Sequence, residues 1–235
     1  MTVGSPARGI IKFAVPLILG YILQQMYLII DAAIVGRGIG VGALAAVGAS
    51  SSVMFLVMGF CNGSCAGFAI PIAQAFGAKA YGKMRVYVAN AVRIAVVLAV
   101  VVTFLACIFC SRILRLVNTP DDIFSDAYIF LLLQFLAIPF TIGYNLFAGF
   151  IRALGNSKQP FYFLICSSFV NIILDVLLIL VLGMGVAGAG LATLLSQLFA
   201  SVLSVWYVAR HMQILIPHGE ERCYNNKRIS ILLNN

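Results

Sequence analysis

Two carboxylates, Asp31 and Asp175, lie deep inside long apolar runs, whereas the other five acidic residues fall at helix edges, in connections or in the tail. An Asp at the centre of a membrane helix costs about 2.5–3.5 kcal/mol on insertion scales, so such a residue by default marks an ion or proton pathway. Polar partners accompany both. Asn171 precedes Asp175 by four residues, which puts its amide on the same helix face one turn away. Gln24, Tyr27 and Asp31 follow i, i+3, i+7 spacing and form one polar stripe, and Thr193 adds a hydroxyl further along the chain. Carboxylate, amide carbonyl and hydroxyl oxygens suit a hard cation, and the soft-metal ligands Cys and His are missing from the set. Two neighbouring carboxylates in a low dielectric also make one of them a candidate proton carrier. The chemistry expected is therefore reversible binding of sodium or a proton at Asp31, Asn171, Asp175 and Thr193, with no organic cofactor and no catalysis.

The elements that must hold these residues are membrane helices. Of 235 residues 63% are hydrophobic and 9% charged, against about 25% charged in a soluble domain, which excludes a soluble core. Six apolar runs reach the ~20 residues that a spanning helix needs, at about 10–35, 44–74, 86–110, 123–150, 160–182 and 186–209. The fold expected is all-α and polytopic, the lipid bilayer its first partner. The first run ends in Gly36 and Arg37, unlike a signal-peptide cleavage site, and is expected to stay as a helix.

Charge sets the expected orientation. Eleven basic residues fall at the N-terminus, the even-numbered connections and the tail (Arg8, Lys12, Lys79, Lys83, Arg85, Arg152, Lys158, Arg210, Arg222, Lys227, Arg228), against three on the other side (Arg37, Arg112, Arg115), with Arg93 inside a span. The positive-inside rule makes both termini cytoplasmic. The net charge of +8 is thus a topology signal, and nucleic acid is not needed as a partner. Counted from Lys12, Lys158 and Arg210, the residues Asp31, Asp175 and Thr193 lie 19, 17 and 17 positions into their helices. At 1.5 Å per residue all three sit about 25–29 Å from the cytoplasmic anchors. Oxygen donors from helices one, five and six are expected to converge there.

Pro16 and Pro139 fall within helices one and four, where each removes a backbone hydrogen bond and kinks the chain. Gly59, Gly63 and Gly67 give helix two a doubled small-xxx-small pattern that lets a neighbouring backbone approach closely. Residues 13–23, FAVPLILGYIL, align on 136–146, LAIPFTIGYNL, with five identities. Helices one and four run in opposite directions, so the pairing describes an inverted repeat, although Leu154 stands where Asp31 would recur. GRGIGVG at 36–42 follows a membrane helix rather than a strand and is not a dinucleotide loop. The Asn62-Gly63-Ser64 sequon lies within helix two, and five of six cysteines fall in apolar runs, where a thiol packs as a small hydrophobe.

Together these residues resemble the N-terminal half of a multidrug and toxic compound extrusion transporter. The resemblance is carried by Pro16, Gln24, Tyr27, Asp31 and Gly36 in helix one, QAFGAKAYGKMR at 74–85, IRALGNSKQP at 151–160, FVNIILD at 169–175 and GVAGAGLAT at 185–193, and covers about residues 10–210. It implies a six-helix lobe of a two-lobe transporter in the bacterial inner membrane, exporting small organic cations in exchange for sodium or protons. It further implies that Asp31, Asn171, Asp175 and Thr193 bind the coupling ion and that Gln24 and Tyr27 line the substrate cavity. Residues 1–210 are then the lobe, and 211–235 resemble the linker toward a second lobe. The expectation is a half-length transporter that works with the missing lobe or a second copy. The alternatives are a lipid-linked precursor flippase of the same wider superfamily, which calls for basic residues facing the cavity, and a non-transporting membrane fragment.

Overall fold

The computed structural model describes residues 6–217, which form six long helices. They are α1 (Pro6–Gly38), α2 (Val41–Gly77), α3 (Tyr81–Leu116), α4 (Asp121–Ala153), α5 (Lys158–Asp175) and α6 (Gly185–His211). A π-helical stretch, Val176–Val181, continues α5, and a short 3-10 turn, Gln213–Leu215, follows α6. All six helices, helix five counted with its π stretch, are long and apolar enough to cross a membrane. The tail from His218 onward, with Arg222, Lys227 and Arg228, lies outside the described residues.

Most helices run several residues past the apolar segments expected from the sequence. Apolar counting finds only the ~30 Å hydrocarbon slab, whereas a helix continues until its last carbonyls find other donors. Those donors come from residues that reverse the chain. Ala80 N–H bonds Ala75 O at 2.9 Å, Thr119 N–H bonds Leu114 O at 3.1 Å and Asn156 N–H bonds Ile151 O at 3.2 Å. Each six-residue closure needs one residue with positive φ, supplied by Lys79, Asn118 and Gly155. Helix five differs in kind: the single α-helix expected over 160–182 is α-helical only to Asp175.

α4 is the central helix, packed on α2, α3 and α6, while α1 leans mainly on α5. Close approach is made by glycines other than those singled out in α2. A Cβ on Gly190 would lie 2.9 Å from the Cβ of Leu133, and one on Gly149 would lie 3.7 Å from the Cys65 carbonyl oxygen; Gly143 sits directly on Ser201. At Gly59 and Gly63 nothing in this chain comes within 4 Å of such an atom. Gly59 and Gly63 are thus exposed on α2 and make no close contact within the lobe. Pro71 is a third proline inside a helix and is buried, as is Pro16; Pro139 is half-buried.

The Gly190 contact gives a stability prediction. The opposing atom is a Cβ, which no rotamer change can move, so Gly190→Ala should cost about 1–3 kcal/mol by overpacking. Thermal unfolding should show a lowered midpoint, partly recovered by Leu133→Ala in the same chain. An unchanged midpoint would count against so tight an α4–α6 contact.

Candidate functional site

The stripe on α1 runs from the surface inward: Gln24 is exposed, Tyr27 half-buried and Asp31 buried. On α5, Asn171 and Asp175 are 1% and 0% exposed. Thr193 on α6 is half-buried and donates its Oγ1 proton to Ala189 O at 3.1 Å, which leaves the hydroxyl lone pairs free to accept.

These residues meet. The carboxyl groups of Asp31 and Asp175 lie within hydrogen-bonding reach of each other. Tyr27 stands beside both and within reach of the Thr193 side chain. One orientation of the Asn171 amide gives both of its polar atoms partners: its nitrogen donates to Asp175 Oδ2 at 2.9 Å, and its oxygen accepts the Thr193 backbone N–H at 3.3 Å. Helices one, five and six thus share one polar centre, in which Tyr27 sits with the carboxylates rather than apart from them. Gln24 lies outside this cluster, one turn back along α1. Pro16 is on α1 far from it, and Pro139 is on α4, which contributes no residue to it.

The centre is incomplete in hydrogen bonds. Asp31 Oδ1 and Asp175 Oδ1 are both buried without a partner. Buried polar atoms are rarely left so, and two carboxyl groups this close in an apolar surround require a shared proton or a nearby cation. The oxygen-rich donor set fits sodium as well as a proton. Among the described residues no three His, Cys, Asp or Glu side chains gather for a metal ion, and Cys61, Cys65, Cys107, Cys110 and Cys166 are free thiols.

Some polar residues escaped the sequence reading. Gln25 is exposed in the middle of α1, and Asn62, read only as part of a sequon, is exposed in the middle of α2; spacing alone could not tell their outward faces from inward ones. Ser196 Oγ donates to Thr193 O at 2.8 Å, tying the ligand-bearing turn of α6. Arg93, the cation that falls inside an apolar run of the sequence, is exposed on α3, which packs on α2, α4 and the 3-10 turn rather than on the site helices.

Six membrane-length helices, three of which bring a buried carboxyl pair and its polar partners together, define a multi-pass membrane protein with an oxygen-rich polar centre. The family model MatE matches residues 16–177, and the chain belongs to that family. Among curated relatives, "Probable multidrug resistance protein YoeA" of Bacillus subtilis is 34% identical over 209 residues, covering 86% of this chain and 45% of the relative. "Probable multidrug resistance protein YpnP" of the same organism is 31% identical over 221 residues, covering 94% and 49%. The fold matches that of a MOP superfamily transporter from Pyrococcus furiosus, with a TM-score of 0.90 at 22% identity over 98% of this chain and 51% of that one. A structure described as the outward-facing conformation of a multidrug resistance MATE family transporter gives the same values. The chain spans about half the length of the curated relatives it matches.

Proposed function

We propose that this chain is one lobe, residues 1–210, of a secondary antiporter that exports small organic cations in exchange for sodium or protons. In this reading Asp31, Asn171, Asp175 and Thr193 hold the coupling ion. The observation that carries it is the buried pair of carboxyl groups, each with one unpartnered oxygen, in a chain of the MatE family. The ion would sit between α1 and α5, so its arrival draws the two helices together and its release lets the like charges push them apart. Tyr27 and Gln24 continue the stripe toward the exposed face of α1, where an organic cation would meet the lobe. Occupancy of the carboxyl pair and the attraction felt by that cation are then linked through charge. Both termini are assigned to the cytoplasm by the basic-residue bias. The basic residue that the flippase reading looks for, Arg93, stands apart from the site, and that reading gains no support.

The test uses ligand-linked stability. A ligand that binds only the folded state stabilises it by RT ln(1 + [L]/Kd). The purified chain should unfold at a higher temperature in sodium chloride than in choline chloride at equal ionic strength and fixed pH, with potassium inert. An equal shift with potassium would exclude a sodium-selective site. A stability that responds to pH but to no alkali cation would identify the proton as the coupling ion, and insensitivity to all of these would refute ion binding by this lobe.

A further inference from the structure

Helix five leaves α-geometry in the residue after Asp175. The π-helical turn covers Val176–Val181, and its far end is held by Leu182 N–H on Leu177 O and Met184 N–H on Leu178 O, each at 2.9 Å. π-turns are rare, and inside helices they occur frequently at functional sites. This one is gripped from two sides. A Cβ on Gly38 of α1 would fall 2.7 Å from Leu180 Cδ2 and 3.2 Å from Ile179 Cγ2. A Cβ on Gly188 of α6 would fall 3.2 Å from both the carbonyl carbon and the oxygen of Leu178. Only hydrogen fits easily at either place.

The packing beyond the site explains what the grip achieves. A small buried cluster contains Val35, Ile179 and Ala189, closed by Val186, Ala43 and Phe130. Val35 lies one turn after Asp31, Ile179 one turn after Asp175 and Ala189 one turn before Thr193. Each helix that brings an oxygen to the polar centre therefore sends an apolar side chain into the same plug, one turn further along. The plug lies directly beyond the polar centre, and Ile179 enters it from the π-turn.

We propose that Gly38 and Gly188 are positioning residues for the ion site: they let α1 and α6 close on the π-turn and thereby fix the height and rotation of Asp175 opposite Asp31. The proposal rests on the reading of Asp31, Asn171, Asp175 and Thr193 as that site. Gly188 acts through the Leu178 backbone, so a side chain there displaces the turn itself. Gly38 acts through the Leu180 side chain, so its effect is relieved by shortening that side chain.

The experiment measures, on the full chain in lipid nanodiscs, the sodium concentration and the pH at the midpoint of thermal stabilisation. Gly188→Ala should displace the midpoint of whichever ion responds by about tenfold in concentration, equivalent to about 1.4 kcal/mol of binding free energy. Gly38→Ala should displace it in the same way, and adding Leu180→Ala should bring it back. Gly59→Ala, where a Cβ meets nothing within 4 Å, should leave it unchanged. The displaced and rescued midpoints are what a merely structural role would not produce, since unfolding without ion is read in the same series. If Gly188→Ala does not fold, the Gly38 and Leu180 pair decides alone. Wild-type midpoints in Gly188→Ala and Gly38→Ala, alongside a lost response in Asp175→Asn, would overturn the positioning role and leave the ion site standing. A full response in Asp175→Asn would remove the site, and the positioning role with it.

Discussion

Asp175→Asn should erase the ion response of the folded chain, and Asp31→Asn should do the same. An ion at a hundred times its Kd contributes about 2.7 kcal/mol to the folded state. For a chain of this size each kcal/mol moves the unfolding midpoint by about 2–4 °C, so a shift of roughly 5–10 °C is at stake. Asparagine keeps the shape of the side chain and removes the charge, so insertion and folding should survive. Ion-free stability should hold or rise, because a buried charge beside its like is a burden in the absence of a cation. That combination, a lost response with undiminished baseline stability, separates a binding role from a structural one. With a second lobe supplied, the same substitutions should also abolish ion-driven dye efflux from energised vesicles. Wild-type response in both variants, at normal expression, would sink the assignment of the carboxyl pair.

The residues of the polar centre were legible because a membrane leaves few reasons for a buried carboxylate. Asp31 and Asp175 announced themselves by sitting in apolar runs, and counting residues from basic anchors put Thr193 at their level. The amide of Asn171 followed from four-residue spacing, and in one orientation its nitrogen donates to Asp175 Oδ2. Helix number was equally legible, since only continuous apolar runs can hide their backbone polar groups in lipid. Helix ends were less so: Asn118 with Pro120 two residues on does mark the end of α3, but Lys79 takes a positive φ at the end of α2 where a glycine would be expected.

The π-turn had no signature at all. Residues 176–181 read VLLILV, an apolar run that serves an α-helix as well, and the glycines that approach the wider turn, Gly38 and Gly188, belong to other helices, where no local pattern reveals them. Glycine patterns misled for a related reason. In α2 they suggested close packing, yet the lobe's own contacts use Gly143, Gly149 and Gly190 on α4 and α6. A small-xxx-small pattern records that something can approach closely, without saying whether it belongs to the same bundle.

Dye export by this chain on its own should be indistinguishable from empty liposomes. α1 is the least buried of the spans; its exposed face carries Gln24 and Gln25, and α2 exposes Asn62. Amide side chains turned toward hydrocarbon are costly, so this face calls for protein or water against it. The α2 glycines whose Cβ positions meet nothing lie beside Phe55 and Leu56, which are 84% and 74% exposed, and supply the relief such a partner would fit. In the proposed reading Gln24 and Tyr27 would wall the cavity from one side only, and an organic cation would have no closed state to pass through. A second copy would insert in parallel and could approach about an axis along the membrane normal, but the same surface would then have to complement itself. Single-molecule photobleaching in liposomes should therefore show mostly one-step traces, with dye export at background in the same vesicles. Two-step traces accompanied by cation-dependent export would reverse this, and would make the α1–α2 face the seam of a working homodimer.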